Sequence, residues 1–265
     1  MWYNTKLVKK GIAIPKFFVK NEQITDNKIT IIGEDVNHIK NVLRLKIDDN
    51  IHICNVDTSI NYTCGISKIN NDNIECIIFN EKASNCESNV HINIFQGLPK
   101  SDKMELIIQK SVELGADEIT PVEMKRSVVK IDEKSKQKKI ERWQKISEVA
   151  AKQSGRDIVP KINNIVNIKN ICNLINKYDI VLLAYENEKN NKLKNELTKL
   201  KNKENLKIGV IIGPEGGLEE QEVEILKEAG AKVITLGNRI LRTETVALVV
   251  TGIIMYELEN LEGNK

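Results

Sequence analysis

Little in this chain offers itself to metal, disulfide or simple phosphate chemistry. The five cysteines, Cys54, Cys64, Cys76, Cys86 and Cys172, are an odd set without a Cys-x-x-Cys pair. Neither a disulfide framework nor a zinc spacing can be read from them, and reduced thiols are expected. There are only three histidines, His38, His52 and His91, and all precede the two glycine-bearing loops described next. A histidine general base within those loops is therefore excluded. The GxxxxGK[ST] phosphate loop and the GxGxxG dinucleotide loop are both absent. No charged-then-apolar leader can be read, and no apolar run reaches the roughly 20 residues of a membrane span. The expectation is a soluble, cytoplasmic protein without metal or membrane.

What is present is a pair of strand-to-loop signals. Ile208-Gly-Val-Ile-Ile-Gly-Pro-Glu-Gly-Gly-Leu218 is followed by Val233-Ile-Thr-Leu-Gly-Asn-Arg-Ile-Leu-Arg-Thr-Glu-Thr245. Each apolar run is short, rich in β-branched residues and ends at glycine, as buried strands of a parallel sheet do. Each then opens a helix. Glu219-Glu-Gln-Glu222 and Thr243-Glu244 place acid in first turns, where the helix dipole favours it. Ligands of open α/β sheets sit beyond the carboxyl ends of the strands, so these loops are the candidate site. A triphosphate would meet Glu215 where it needs lysine. Gly213, Gly216 and Gly217 instead permit close backbone approach, which suits an adenosine held by main-chain groups with little anionic charge. S-adenosylmethionine, a sulfonium cation, fits that description. On the residues alone, a tight strand-to-helix connection remains the alternative.

Ile212-Gly-Pro-Glu-Gly-Gly-Leu218 and Leu236-Gly-Asn-Arg-Ile-Leu-Arg-Thr-Glu-Thr245 closely resemble the paired signatures of the ribosomal RNA small subunit methyltransferase E family, within the SPOUT methyltransferases. Pro15-Lys-Phe-Phe18, His38-Ile-Lys-Asn-Val-Leu-Arg-Leu-Lys46, Lys103-Met104, Glu118-Ile-Thr-Pro121, Arg126-Ser127, Arg142-Trp143 and Gln153-Ser-Gly-Arg156 extend the match over nearly the whole chain. The resemblance implies an α/β fold with a C-terminal SPOUT domain, its parallel sheet tied in a trefoil knot, preceded by a small PUA-like β-barrel. It further implies S-adenosylmethionine as methyl donor, a homodimer, and methylation of N3 of a uridine in 16S rRNA of the small ribosomal subunit. General topology argues against a knot, since true knots are almost absent from known folds.

The remaining residues accord with two domains. A chain of 265 residues with 41% hydrophobic content can build real cores, and a net charge of +3 neither requires nor excludes RNA. Residues 1–88 alternate short apolar runs with Asn, Asp and Gly turns, a β-barrel pattern broken by one helical insert at Asp35–Leu45. Residues 1–14 extend beyond the family's usual start, and Lys82–Asn89 reads as a linker. Residues 89–265 alternate strands and helices. The helices include Lys103–Glu113, Asp132–Ser154 and Val246–Leu258, the last apolar nearly all round and expected to pack on its own sheet and on a second subunit.

Site residues are assigned on this basis. The donor-binding set is Ile212, Gly213, Pro214, Glu215, Gly216, Gly217, Leu236, Gly237, Ile240, Leu241, Arg242, Thr243 and Thr245. Lys16, Arg44, Lys46, Lys103, Arg126, Arg142 and Arg156 stand where the family pattern is basic and are assigned to RNA, arginine's planar fork suiting phosphate and base edges. The run Lys134, Lys136, Lys138, Lys139 and Lys145 reads as a solvated helix face, with RNA contact as the alternative. Catalysis would rest on positioning and desolvation. Arg242 or Arg126 would stabilise the uridine anion, and Glu215 or Glu244 would accept the N3 proton were its pKa raised by burial. Glu244 as a plain helix cap, and Arg242 paired only to a carboxylate, are the structural alternatives. Lys16 stands where the family more often has Arg, Asp48 where Gly is usual, Leu218 for Phe and Val246 for Ala. A non-catalytic RNA-binding assembly factor with the same fold is the competing function. An RNA-dependent NTPase is disfavoured by the missing Lys-Ser/Thr pair.

Overall fold

The computed structural model describes residues 16–83, 86–201 and 203–258. The expected extension at residues 1–14 lies outside them. The chain divides into two compact units, residues 1–86 with Gly155–Ile158, and residues 87–154 with 159–265.

In the first unit, β1 (Lys16–Val19), β2 (Ile24–Thr25), β3 (Lys28–Ile32), β4 (Asn50–Asn55), β5 (Ile60–Ile69) and β6 (Asn73–Ala83) form one sheet in the order β1-β4-β5-β6-β3-β2. Only the β1–β4 pairing is parallel. Period-two alternation sends Phe17, Val19, Ile29, Ile31, Ile51, Ile53, Ile74 and Cys76 into a single core. The helical insert is shorter than its pattern suggests. One α turn, α1 (Glu34–Asn37), passes into a π-helical turn at His38–Val42, and the chain leaves it at Arg44 with φ of 53°. Val36 and Ile39 cap the sheet's core, whereas Val42 stays exposed, so no further apolar face exists to extend a helix. Lys82 and Ala83, read as linker, continue β6 opposite Asn61 and Ile60. Within this unit the returning segment docks through Lys16, whose ammonium pairs with Asp157 and donates to the Gly155 carbonyl at 3.2 Å.

The second unit is built on a wholly parallel sheet. Its strands are β7 (Val90–Gly97), β8 (Glu118–Glu123), β9 (Lys161–Ile162), β10 (Val166–Asn167), β11 (Ile180–Ala184), β12 (Leu206–Ile212) and β13 (Lys232–Ile234). The order is β10-β8-β7-β12-β11-β13, with β9 also on β8. Helices α2 (Lys103–Glu113), α3 (Glu133–Ser154), α4 (Ile168–Leu174), α5 (Leu193–Thr198), α6 (Glu220–Glu228) and α7 (Thr243–Leu258) connect and cover it. Val181, Leu183 and Ile211 share a core with α4 and α6. Their alternates Leu182 and Val210 are equally buried, and α7 packs on β7 and β12. Burial on both faces is the reason these strands read as unbroken apolar runs. Among the described residues, no helix is long and apolar enough to cross a membrane.

Candidate functional site: a cavity at three strand ends

Register brings three carboxyl ends together. Ala184 of β11 lies opposite Ile212 of β12 on one side and Ile234 of β13 on the other. The loops leaving these strands enclose a cavity of about 690 Å3. Its wall contains Ile212, Gly213, Pro214, Glu215 and Gly217 from the first loop and Leu236, Gly237, Ile240, Leu241, Arg242 and Thr243 from the second. The two signature segments, about twenty residues apart in the chain, thus form one site. Gly216 and Thr245, also assigned to the donor, are not among its lining residues.

The glycines do different work. Gly217 has φ of 68°, and a Cβ there would stand 2.5 Å from the Glu186 carboxylate. Gly213 is closed against Leu218 by a would-be contact of 2.9 Å. Gly216 faces away from the cavity: a Cβ would lie 3.1 Å from that of Arg126, whose guanidinium donates to the Gly216 carbonyl at 3.2 Å. Arg126 therefore backs the loop and is not among the cavity's lining residues, while Arg242 is.

A third loop, marked by no signature in the sequence, also contributes. Tyr185, Glu186, Glu188 and Lys189, following β11, complete the wall. The β11 strand itself is legible in the sequence, and its position beside β12 would have been enough to nominate its carboxyl end. Its loop carries no glycine signature to draw attention. Glu188 accepts the backbone N–H groups of Asn190 and Asn191 at 2.7 and 3.0 Å, which hold its carboxyl below the usual carboxylate value and fold the loop back.

The segment joining β7 to α2 and the first residue of α2, Lys103, tie both signature loops, and Lys103 also lines the cavity. A Cβ on Gly97 would meet Pro214 N at 2.6 Å. The Lys100 N–H donates to both Glu215 oxygens at 3.0 and 3.2 Å. Lys103 pairs with Glu215 at 3.1 Å and with Glu244 at 3.3 Å. Burial pushes the Glu215 carboxyl up, but its own N–H, that of Lys100 and the Lys103 ammonium outweigh this, so its pKa falls below the ordinary value. The condition attached to Glu215 as proton acceptor, a pKa raised by burial, is not met: the residue is a fixed anion that ties a loop. Lys103, read as an RNA contact, has its charge engaged by two carboxylates, and its own pKa is raised, chiefly by the Glu215 hydrogen bond.

The other basic residues separate by exposure. Arg44 and Lys46 are exposed on the first unit. Arg142 is exposed but pairs with Glu105 at 2.7 Å. Arg156 is only 8% exposed, and Lys16 is committed to Asp157, which leaves both little surface to offer a phosphate. On α3, Lys136 pairs with Glu123 and Glu133, and Lys139 sits over the Trp143 ring. Both facts favour the solvated-face reading for that run. No group of three or more His, Cys, Asp and Glu side chains that could hold a metal occurs among the described residues.

The cavity is suited to a zwitterionic adenosyl ligand. Its aliphatic walls, Ile212, Leu236, Ile240, Leu241 and Val246, can take a flat ring. Glu186 and Arg239 or Arg242 supply charges of both signs, and Gly237, with φ of 113° and open space where a Cβ would stand, leaves its backbone accessible.

The parallel α/β unit and the small β unit each match a domain of one class of protein, the RNA methyltransferases. Residues 86–255 match the model of an RNA methyltransferase domain and residues 31–79 that of an RNA methyltransferase PUA domain. The chain is 37% identical to ribosomal RNA small subunit methyltransferase E of Bacillus subtilis over 89% of its own length and 93% of that protein, and 31% identical to the namesake of Buchnera aphidicola over 92% and 94%. The crystal structure of a ribosomal RNA small subunit methyltransferase E from Neisseria gonorrhoeae bound to S-adenosyl methionine superposes with a TM-score of 0.83 at 29% identity, covering 94% of this chain and all of that one. The chain belongs to the ribosomal RNA small subunit methyltransferase E family.

Proposed function

We propose that the protein methylates N3 of a specific uridine in 16S rRNA of the small ribosomal subunit, using S-adenosylmethionine, as a cytoplasmic homodimer. The observation that carries this reading is the single cavity assembled from both family signatures at the carboxyl ends of β11, β12 and β13. Bound there, S-adenosylmethionine supplies an electrophilic methyl group on a sulfonium.

The work of the chain's own residues is to hold, orient and dehydrate. The backbone of Gly213–Gly217 and Leu236–Leu241, with the aliphatic wall, would take the adenosine, and Glu186 the positive charge. Neutral uridine carries a proton on N3, which would pass to solvent water before the methyl moves, and the negative charge left behind spreads over the flanking carbonyl oxygens. Arg242, in the wall at the entrance to α7, would hold that charge, as a preorganised donor does at a developing oxyanion. Arg126 acts one step removed, through Gly216. On the first unit, Arg44 and Lys46 would grip the RNA backbone, a sequence-independent contribution that salt weakens.

The test is methyl transfer from labelled S-adenosylmethionine to unmodified small subunits and to naked 16S rRNA, with the product nucleoside identified by mass. N3-methyluridine is expected. A different methylated nucleoside, or saturable donor binding with no transfer to either RNA, would overturn the proposal.

A further inference from the structure

Gln96 is wholly buried at the end of β7, opposite Ile212 of β12. A buried amide is costly unless its polar atoms are paired, and this one is paired on one side only. Its Nε2 donates to the Thr243 hydroxyl at 2.8 Å and to the Gly97 carbonyl at 2.9 Å. The Thr243 hydroxyl donates in turn to the Gly213 carbonyl at 2.7 Å. Gln96 Oε1 has no partner among the described residues. Turning the amide over would not help: Oε1 would then face the Gly97 carbonyl and draw the Thr243 proton away from Gly213. The orientation that leaves one acceptor unpaired is the one that gives both glycine carbonyls a donor.

We propose that Gln96 is a positioning residue for the methyl donor. Its amide occupies a lone pair of the Thr243 hydroxyl and so directs the hydroxyl proton to the Gly213 carbonyl, locking the first signature loop to the start of α7. Gln96 does not line the cavity, whereas Thr243 and Gly213 do, so it acts through them. The inference rests on the reading of the cavity as the S-adenosylmethionine site.

Gln96→Met keeps the length of the side chain, removes the donors and also removes the unpaired acceptor. The lock is lost, and removal of the unpaired acceptor offsets in part the cost of leaving the Gly97 carbonyl without its Gln96 donor. The experiment is calorimetric binding of S-adenosylmethionine to the full chain, with thermal unfolding of each variant and steady-state kinetics. Gln96→Met is expected to bind about tenfold more weakly, equivalent to ~1.4 kcal/mol. The KM for the donor should rise to match, kcat at saturation should change less than about threefold, and the unfolding temperature should fall by a few degrees at most. Gln96→Glu, which would accept the Thr243 proton itself, is expected to lose more. In a Thr243→Val background Gln96→Met should have no further effect, since coupled residues are not additive. Equal affinity for wild type and Gln96→Met, or losses that add across the Thr243→Val pair, would overturn the inference; if Gln96→Met does not fold, wild-type affinity in Gln96→Glu does so. Failure of the wild type to bind S-adenosylmethionine would instead remove the reading of the cavity.

Discussion

Gly97 has no room for a side chain, and what crowds it most closely is a proline, through its backbone nitrogen and its ring. A Cβ there would stand 2.6 Å from Pro214 N, 2.7 Å from Pro214 Cδ and 2.9 Å from the Met124 sulfur. Proline cannot swing aside as a flexible side chain can, so Gly97→Ala must push the first signature loop outward. Overpacking of this kind costs about 1–3 kcal/mol. The expected outcome is an unfolding temperature lowered by several degrees and donor affinity reduced at least about tenfold. Glu215 makes the opposite case, a residue whose chemistry is suggestive and whose surroundings disarm it. Its folded pKa is depressed, so its contribution to stability is present above the ordinary value of 4.5 and lost as the pH falls through the lower folded value. Lys103, with a raised pKa, contributes below its ordinary 10.5 and loses that contribution as the pH rises through the folded value. The network is thus fully charged across the neutral range. Glu215→Gln should keep the shape of the pH–rate profile between about pH 6 and 9 and retain kcat within about tenfold, its main effect falling on KM for the donor. Collapse of kcat with loss of an ionisation would return Glu215 to the role of base.

At the scale of elements, α6 does more than connect β12 to β13. Its N-terminus carries a capping box, with Glu222 Oε2 accepting the Glu219 N–H at 3.0 Å. The second oxygen, Oε1, accepts the Lys125 N–H at 2.9 Å, one residue before the arginine that backs Gly216. Glu222 is 4% exposed, so Glu222→Ala would take the side-chain partner from two part-buried backbone donors. A loss of about 1–2 kcal/mol in denaturant unfolding is expected, together with weaker donor binding as the Arg126 loop loosens. The acidic first turn of this helix is legible in the sequence, but the tie to Lys125, 97 positions away, is not. The same division runs through the molecule. Local periodicity and β-branched runs locate β7, β8, β11, β12, α2, α3 and α7 to within a few residues, because each is decided by its own burial pattern. The two signature loops are recognisable from their glycines. The third loop of the wall, the engagement of Lys103 by two carboxylates and the enclosure of Arg156 all depend on which strands become neighbours, and one sequence does not carry that. Asp48 lies between these cases: it stands where the family usually has Gly, and its φ of 72° gives the reason.

At the scale of the whole molecule, α7 is apolar on more sides than its own unit can bury. Thr243, Ala247, Val250, Ile254 and Leu258 face inward, but Ile253 remains 38% and Tyr256 77% exposed. With Val246 and Val249 they follow a spacing of three, four and three residues, one stripe along the helix. Leu114, 37% exposed, lies beside this stripe: a Cβ on Gly252 would be 3.9 Å from its side chain. The stripe begins at Val246, which also lines the cavity, so a second subunit packed on α7 would sit against the donor site. An apolar helix face of this kind, left open beside a binding cavity, is the surface a homodimer would cover. Tyr256→Glu together with Ile253→Asp places two charges on the stripe without touching the buried positions. Light scattering after size exclusion should show the wild type as a dimer of this 30.1 kDa chain and the double variant as a monomer with an intact fold by circular dichroism. Donor affinity should fall in the monomer, because Val246 and the second signature loop lose their outer support. A wild type that is monomeric at micromolar concentration, or a double variant that stays dimeric, would place the interface elsewhere and leave the exposed stripe unexplained.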